Sequence, residues 1–337
     1  MPTVDPSTVS EKKDVLAFTM TNTDKSIVNA LRRTILGSIP AVVMKPENCK
    51  IAVNTTRFNN EILKQRLACI PIYIKPDKDV ETYTIHLKKS NTTSTVMYVT
   101  SEDFEVRVNG KLIDAQIFPP NETTKMYIDI LRLRPKMELA VESIELTATL
   151  AVATGNQSGT FNLANCSFTC TVNEVEAENK WVKTGITDKD QYMDWKLLDA
   201  KRCILPNSYD VTVESIAVYT NQQIVQMACL LLQKELTIYK DLELKIKVGE
   251  TTMPHCIDIY FEKCDYTIGK LLEYNLFSTL FPAKITYISF IKIHPHDVSG
   301  ILRIAFVKEP SPENIKDLFI ESCTACIDYF KFSSIFK

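Results

Sequence analysis

A short sequence pattern occurs twice in this chain, once near its beginning and once in its last third. Asp24-Lys-Ser-Ile-Val-Asn-Ala-Leu31 and Asp265-Tyr-Thr-Ile-Gly-Lys-Leu-Leu272 share the form D-x-[ST]-I-x-x-x-L. Each copy follows a strand-like run and opens a segment with apolar residues at helical spacing. The repeat predicts two copies of one strand-plus-helix unit that pack against each other as a pseudo-symmetric dimer within one chain. The alternative is chance similarity between two capped helices.

The predicted helices carry apolar stripes that can join the two copies. A second helix follows in each half, at Asn221 to Thr237 and at Ser311 to Phe332, with Ser311 as N-cap and Pro312 at the first helical position. Each buried Ile or Leu contributes about 1.5–3 kcal/mol, so such stripes can hold the halves together. The residues predicted to form this dimerisation surface are Ile27, Leu31, Ile35, Ile268, Leu272, Leu276, Leu318, Phe319, Cys323 and Ile327.

The middle of the chain has a different pattern. From Pro71 to about Leu205, short alternating runs typical of β-strands are separated by turns, and Asn109-Gly110 is a strong hairpin signal. The fold class is therefore predicted as α+β: two dimerisation modules paired as an intramolecular pseudo-dimer, with a β-rich insert domain in the first. The predicted bounds are residues 14–70 plus 206–240 for the first module, 71–205 for the insert and 241–337 for the second module.

Several local expectations follow from shorter patterns. A strand pair is predicted around Ala41 to Met44 and Lys50 to Asn54. A helix follows from about Asn60 to Cys69, with Ile62, Leu63 and Leu67 facing inward. Residues 174–202, rich in acidic residues and lysine, are expected to form a surface excursion. Cys166 and Cys170 are four residues apart in a strand-like run, so they are expected to share its buried face.

Composition excludes several classes of protein. The chain has 337 residues but only eight glycines, and no dinucleotide-binding G-x-G-x-x-G or P-loop motif can be written with them. The net charge of −2 provides no overall positive field for nucleic acid, so any such contact would be local. No secretory signal is expected at the N-terminus, and the longest uncharged stretch is interrupted too early to span a bilayer. An intracellular protein without a membrane partner is predicted.

The chemically reactive residues favour structural roles. Ten scattered cysteines are expected to be buried free thiols, and Cys323-x-x-Cys326 supplies only half of a zinc site on an apolar helix face. His294-Pro-His296 is interpreted as making structural contacts in a loop, with a metal pair as the weaker alternative. Asp188-x-Asp190 with Asp194 is interpreted as a solvated acidic loop, with cation binding as the weaker alternative. The sequence contains no convincing pair of nucleophile and base. No catalytic residue, metal or cofactor is predicted.

Two sets of segments resemble one known family. The first half resembles the α-like assembly subunits of multisubunit RNA polymerases, including the bacterial α subunit, the archaeal D subunit and the third-largest subunit of RNA polymerase II. The matching segments are Thr21–Arg33, Ile39-Pro40, Asn54–Thr56, Glu61–Pro71, Val211–Ser215 and Tyr219–Asn221. The last part resembles the smaller partner of these subunits, the archaeal L or eukaryotic eleventh subunit, at Glu262–Leu272 and His294–His296.

The resemblance implies a fused heterodimer, similar to those of nucleocytoplasmic large DNA viruses such as asfarviruses. Its function would be to scaffold the assembly of a DNA-dependent RNA polymerase without chemistry of its own. The implied partners are the β-like and β′-like largest subunits and small adaptors resembling the tenth and twelfth subunits of RNA polymerase II. Nucleic acid would be contacted only indirectly. The implied location is the host cytoplasm, with the virion as a second site.

The resemblance also implies partner-binding residues. Asn29, Arg32, Arg33 and Arg66 match family positions, and the arginine pair lies where α-like subunits meet the β-like subunit. In the second copy of the repeat Lys270 replaces Asn29, and Glu273-Tyr274 replaces the arginine pair, so that half would face the β′-like subunit. Relatives often carry a cysteine-rich metal loop in the insert. Residues 71–165 contain no cysteine, so no metal is expected there.

A function of another class remains as an alternative. The insert contains Lys88-Lys89 and Arg132-x-Arg134, which could serve a stand-alone nucleic-acid-binding protein. Such a protein would bind DNA with a steep dependence on salt concentration. A hydrolase with its site in the insert is a third possibility, but no residue set supports it.

Overall fold

The computed structural model describes residues 1–76, 79–114, 116–137 and 140–336. Lys337, the last residue of the predicted second module, lies outside these ranges. The chain divides into two compact units. The first unit comprises Met1–Ile35, Ala164–Ser215 and Asn221–Lys337, and the second comprises Leu36–Leu163 and Ile216–Thr220. The predicted module bounds stay a prediction.

Helices and antiparallel sheets are mixed along the chain, so the α+β prediction is confirmed. The helices are α1 (Lys25–Gly37), α2 (Asn60–Ala68), α3 (Glu174–Thr184), α4 (Lys189–Leu197), α5 (Asn221–Lys240), α6 (Tyr266–Leu280) and α7 (Pro312–Asp328). The strands are β1 (Thr3–Val4), β2 (Ser10–Lys12), β3 (Val15–Thr21), β4 (Pro40–Asn54), β5 (Tyr83–Ser90), β6 (Met97–Thr100), β7 (Glu105–Val108), β8 (Lys111–Leu112), β9 (Asp129–Leu133), β10 (Ser143–Thr154), β11 (Ala164–Val172), β12 (Ile204–Ser215), β13 (Lys245–Val248), β14 (Cys256–Phe261), β15 (Ile285–Ile291) and β16 (Gly300–Phe306).

The first unit contains two antiparallel sheets. One has the strand order β1-β3-β12-β11, with β2 also paired to β3, and the other has the order β13-β14-β16-β15. Alternation along β3 buries Leu16, Phe18 and Met20 on one face, as expected for a strand with one face toward a core. Helix α7 contacts both α5 and α6, and α6 lies against β15 and β16.

The end of the chain packs beside its beginning within this unit. The ring of Phe336 lies 4.8 Å from that of Phe18, centroid to centroid, in an edge-on arrangement. The side-chain amide of Gln233 on α5 donates to the carbonyl of Phe330 at 2.9 Å. Just after the end of α7, the Tyr329 hydroxyl accepts a hydrogen bond from the side-chain amide of Asn275 on α6 at 2.6 Å. Polar contacts thus accompany the apolar packing of the long helices.

The second unit is built on a five-stranded antiparallel sheet with the order β4-β10-β5-β7-β8. Strands β6 and β9 form a separate two-stranded sheet, and α2 lies against β4. The hairpin prediction is confirmed. Asn109 and Gly110 adopt positive φ angles of 49° and 78° between β7 and β8, as a tight hairpin turn requires.

Some local predictions are wrong. Residues 40–54 form one strand, because both halves pair with β10 rather than with each other, with a register shift opposite the residues between Met44 and Cys49. Ile62 is 45% exposed, whereas its neighbour Leu63 is buried on α2. Cys170 is exposed although Cys166 is buried, since β11 is an edge strand whose burial pattern fades toward its end.

Residues 174–202 lie mostly at the surface, as predicted, and they form α3, α4 and a short 3-10 turn. The two tryptophans of this segment face each other, with the ring centroids of Trp181 and Trp195 6.0 Å apart. Trp195 also packs on a small buried cluster of Ala177, Ala200 and Cys203. Asn173 and Asp188 cap the two helices by accepting backbone N–H groups.

Candidate functional site

Helix α1 carries three of the residues predicted to bind a partner. Ile27, Leu31 and Ile35 are buried, while Arg32 and Arg33 on the other side of the helix are partly exposed. Asp24 starts the helix by accepting the N–H of Ser26 at 2.8 Å. The remaining predicted dimerisation residues are also buried, except Ile327, which is partly exposed.

Arg32 is held against its own helix. Its Nε and Nη2 donate to the Asn29 side-chain oxygen at 3.1 and 2.9 Å. Residues three apart face each other on a helix, so Asn29 fixes the direction of the guanidinium. The pair therefore presents a positioned positive charge on the partly exposed face of α1.

Arg33 reaches across to α6 instead. Its Nε donates to the Thr267 hydroxyl at 2.8 Å, and its Nη2 forms an ion pair with the Asp265 carboxylate. The Lys292 ammonium lies 3.9 Å from the other oxygen of Asp265. The Asp265 side chain makes no capping hydrogen bond to its own helix. Its carboxylate instead forms ion pairs with the cationic side chains of two other segments. Sequence reasoning identified Arg33 but missed its two partners, Thr267 and Asp265, and the lysine that also faces Asp265.

The electrostatic interaction between α1 and α6 has a counterpart at the corresponding positions of the repeat. Asp24 and Arg33 in the first copy of the repeat correspond in sequence to Asp265 and Tyr274 in the second. Arg33 pairs with Asp265, and the charge of Asp24 acts on Tyr274 in turn. Burial raises the pKa of the Tyr274 phenol, and the negative charge of Asp24 raises it further. The charge of each copy's aspartate thus acts on the corresponding position of the other copy.

A small cleft of about 260 Å³ lies between the two helices. Asn29 lines it from α1 and Lys270, its counterpart in the repeat, lines it from α6. The other lining residues are Lys25, Ser26, Ala30, Phe168, Tyr266 and Thr267.

Arg66, the fourth predicted partner-binding residue, lies in the second unit on α2. Its Nε and Nη2 donate to the carbonyls of Ile130 and Asp129 at 2.7 Å each. Its guanidinium also lies over the Phe58 ring, 5.5 Å from the ring centroid. Arg66 therefore fixes the position of β9 relative to α2. The structure does not bring Arg66 together with the three residues of α1 in one unit.

Arg66 also lines a groove of about 620 Å³ in the second unit. Arg132 also lines the groove and donates to Asp129 from Nε at 3.1 Å and from Nη2 at 3.0 Å. The Arg132 guanidinium covers the Tyr98 ring at 4.7 Å from its centroid. The groove is lined by Thr56, Arg57, Phe58, Arg66, Val96, Tyr98, Asp129, Ile130, Leu131, Arg132 and Arg134. Sequence reasoning singled out Arg132 and Arg134 but not the groove, whose residues come from distant segments.

The weaker candidates are occupied by local contacts. The His296 N–H donates to Nδ1 of His294 at 3.2 Å, and the His294 N–H donates to Asp297 at 3.0 Å. Burial raises the pKa of the Cys323 thiol to about 12, and Cys326 donates to the Leu271 carbonyl across the helix interface. Among the described residues, no group of three or more His, Cys, Asp and Glu side chains could hold a metal ion. The described helices include none with the length and hydropathy needed to cross a membrane.

Comparison with known proteins gives partial matches to one class, and no family model matches the chain. The homologues are α-like RNA polymerase subunits, at low identity. The chain is 39% identical over 70 residues to DNA-directed RNA polymerases I and III subunit rpac1 of Dictyostelium discoideum, covering 21% of this chain and 20% of that protein. It is 28% identical over 157 residues to subunit RPAC1 of RNA polymerases I and III of Mus musculus, covering 39% and 45%.

An archaeal protein matches in the same way. The chain is 29% identical over 93 residues to DNA-directed RNA polymerase subunit Rpo3 of Pyrococcus furiosus, covering 26% of this chain and 35% of that protein. In each of these comparisons the chain spans less than half of the relative's length.

Proposed function

We propose that this protein is a non-catalytic assembly subunit of a DNA-dependent RNA polymerase. Its homologues are RNA polymerase subunits in a slime mould, a mammal and an archaeon. The α+β fold and the contacts of the long helices fit a scaffold, whose function depends on surfaces rather than on reacting groups. The sequence contains no convincing catalytic pair of nucleophile and base, which agrees with a non-catalytic function.

The scaffold is an intramolecular pseudo-dimer of two α-like modules. The observation that carries this proposal is the ion pair of Arg33 on α1 with Asp265 at the start of α6, and at the corresponding positions the charge of Asp24 acts on Tyr274. A closed two-fold interface requires such reciprocity, because each surface must be complementary to itself. The packing of α7 against α5, the second helices of the two halves, supports the same arrangement.

The partly exposed side of α1 would dock the β-like catalytic subunit. Arg32, fixed by Asn29, would make charge-assisted hydrogen bonds to that subunit, while Arg33 would hold α1 against α6 as well as contribute to docking. Arg66 would support docking from the second unit. The second half would face the β′-like subunit, and small adaptor subunits resembling the tenth and twelfth of RNA polymerase II would bind the assembled scaffold.

Co-expression with the β-like subunit of the same source tests the docking surface. Arg32→Glu is expected to reduce recovery of that subunit on the tagged chain at least severalfold, because it reverses the charge at the contact. Arg202→Glu is a matched control, since Arg202 is 84% exposed and lies in a short 3-10 turn after α4. Full recovery with both Arg32→Glu and Arg33→Ala would refute the docking assignment.

Purification from the native source tests the function as a whole. The tagged chain is expected to recover two very large polypeptides, the β-like and β′-like subunits. We propose that the complex belongs to a nucleocytoplasmic large DNA virus, because the fused arrangement resembles the fused polymerase subunits of such viruses. It would then be found in the cytoplasm of the infected host cell and in the virion. Recovery of the chain without any large polypeptide, together with steeply salt-dependent DNA binding, would favour the stand-alone nucleic-acid-binding alternative.

A further inference from the structure

The groove of the second unit concentrates arginine. The chain contains nine arginines, and Arg57, Arg66, Arg132 and Arg134 line this one groove. Lysine, which outnumbers arginine threefold in the chain, is absent from the described lining. Arginine binds carboxylates with a rigid planar fork, whereas lysine offers a mobile point charge. The composition of the groove therefore points to recognition of an anionic group with defined geometry.

The arginines are only partly neutralised by the protein itself. Asp129 pairs with Arg132, and Glu142, a buried residue outside the lining, pairs with Arg134. Arg66 is bonded to backbone carbonyls, which carry no net charge. Arg57 is exposed, and no ion pair to it exists in the described part of the chain. Four guanidinium groups thus face two carboxylates, so the groove keeps a net positive charge.

The same groove exposes apolar and aromatic surface. Tyr98 is 56% exposed and Val96 48% exposed, and Phe58 lies beside them under the Arg66 guanidinium. Aromatic residues and arginines are enriched in the residues that contribute most to protein–protein binding. The groove volume of about 620 Å³ is within the range of sites that enclose a short segment or a ligand.

We propose that this groove binds an acidic segment of a partner protein. The carboxylates of the segment would pair with Arg57 and Arg132, and an apolar side chain between them would pack on Phe58, Val96 and Tyr98. Charge complementarity selects this occupant. The inference goes beyond the proposed assembly function and does not depend on it, because the binding is a property of the isolated chain.

A nucleic-acid strand fits the groove less well. Its successive phosphates would come close to Asp129 in the lining and to Glu142 behind Arg134. The chain has a net charge of −2 and offers no field that would collect a polyanion from a distance. A peptide can place one or two carboxylates on Arg57 and Arg132 and leave uncharged groups elsewhere.

Fluorescence anisotropy with the full chain tests the proposal. The probe is a fluorescein-labelled peptide of sequence Asp-Glu-Phe-Asp-Asp-Leu-Glu-Asp, and the control peptide replaces each acid by its amide. The acidic peptide is expected to bind saturably, with a Kd on the order of 10 μM, and the amide peptide at least about tenfold more weakly. A poly-thymidine oligonucleotide of the same charge is the third probe.

Charge reversal locates the binding. The variant Arg57→Glu combined with Arg132→Glu is expected to weaken binding of the acidic peptide by at least about tenfold. Arg107→Glu is the matched control, since Arg107 lies in the same unit on β7 outside the groove. Circular dichroism of each variant checks that it is folded. Tyr98→Ala, an exposed substitution without charge, is expected to weaken binding severalfold.

Three results would overturn the proposal. The first is no saturable binding of the acidic peptide, and the second is equal binding by the folded charge-reversal variant and the native chain. The third is binding of the oligonucleotide, but not the peptide, with loss in the same variant. That last result would assign the groove to nucleic acid. None of these results bears on recovery of large polymerase subunits, so the two proposals fail separately.

Discussion

The Nε of Arg33 donates a hydrogen bond to the Thr267 hydroxyl at 2.8 Å, and this bond joins α1 to α6. The two residues are far apart in sequence but belong to the two copies of one repeat. Thr267 occupies the position of Ser26 in the first copy, where the backbone N–H bonds to Asp24. In the first copy, therefore, the aspartate of the motif caps its own helix. In the second copy, the hydroxyl residue of the motif accepts a hydrogen bond from an arginine that follows the first copy.

The first prediction concerns the coupling between these two residues. Arg33 is 39% exposed and Asp265 52% exposed, so the network is screened by solvent. A double-mutant cycle of Arg33→Ala and Thr267→Val is expected to give a coupling energy of about 0.5–1 kcal/mol. Urea unfolding followed by circular dichroism measures it. A coupling indistinguishable from zero would show that the two side chains do not interact in solution.

The second prediction concerns the packing of α5. Leu232 is fully buried and Leu230, two residues earlier on the same helix, is 58% exposed. Leu232→Ala is expected to lower the free energy of unfolding by about 3 kcal/mol, because it removes apolar contacts and leaves a cavity. Leu230→Ala is the matched control and is expected to change it by less than about 0.5 kcal/mol. Equal effects would mean that this face of α5 is not packed.

The periodic helices were the most predictable part of the fold. Apolar residues at helical spacing predicted a helix after Asp265, where α6 begins, and Ser311 with Pro312 predicted the start of α7 correctly. The predicted end of that helix, Phe332, is wrong, since α7 ends at Asp328. The Asn109-Gly110 hairpin was equally clear, because few dipeptides accept two positive φ angles. The polar helices α3 and α4 could not be predicted, since their small buried cluster leaves no wide apolar stripe.

The candidate site was predictable only in part. The repeat and the resemblance singled out Arg33, but its bond to Thr267 depends on how two distant helices meet. The groove of the second unit was even harder to predict from the sequence. Arg57 and Arg132 come from segments that are brought together only by the fold of the second unit, and their spacing in sequence carries no signal.

The third prediction concerns two glycines that make room for one aromatic ring. A Cβ on Gly269 or on Gly300 would overlap the side chain of Phe290. Helix propensity alone would make Gly269→Ala stabilising by about 1 kcal/mol. The steric conflict is expected to reverse the sign, with a net loss of about 1–3 kcal/mol in urea unfolding.

A control and a rescue test this steric explanation. Gly159→Ala is the control, because an added Cβ there meets no atom within 4 Å. Combining Gly269→Ala with Phe290→Leu is expected to cost less than the sum of the two single changes, since the smaller side chain leaves space for the methyl group. Strict additivity would contradict the steric explanation.

The fourth prediction concerns thiol reactivity. Cys69 and Cys170 are exposed, whereas the other eight cysteines are buried. Burial raises the pKa of the Cys166 and Cys264 thiols to about 12, so the reactive thiolate is scarce there near pH 8. A disulfide reagent at pH 8 is expected to label two thiols per chain rapidly, and all ten only in denaturant. Cys69→Ser combined with Cys170→Ser should abolish the fast phase. Rapid labelling of further thiols would show that the buried segments carrying them open in solution.

The fifth prediction concerns the ion pair between β14 and β16. Asp258 is 2% exposed and accepts two hydrogen bonds from Arg303, each 2.7 Å long. Asp258→Ala is expected to lower the free energy of unfolding by about 3 kcal/mol, because it leaves a partly buried guanidinium without its partner. The exposed pair of Lys245 and Glu262 on the same sheet is the control, and Glu262→Ala should produce no measurable change. If Asp258→Ala were as mild as that control, the bidentate pair would contribute nothing to this sheet, and its geometry would have to serve a role other than stability.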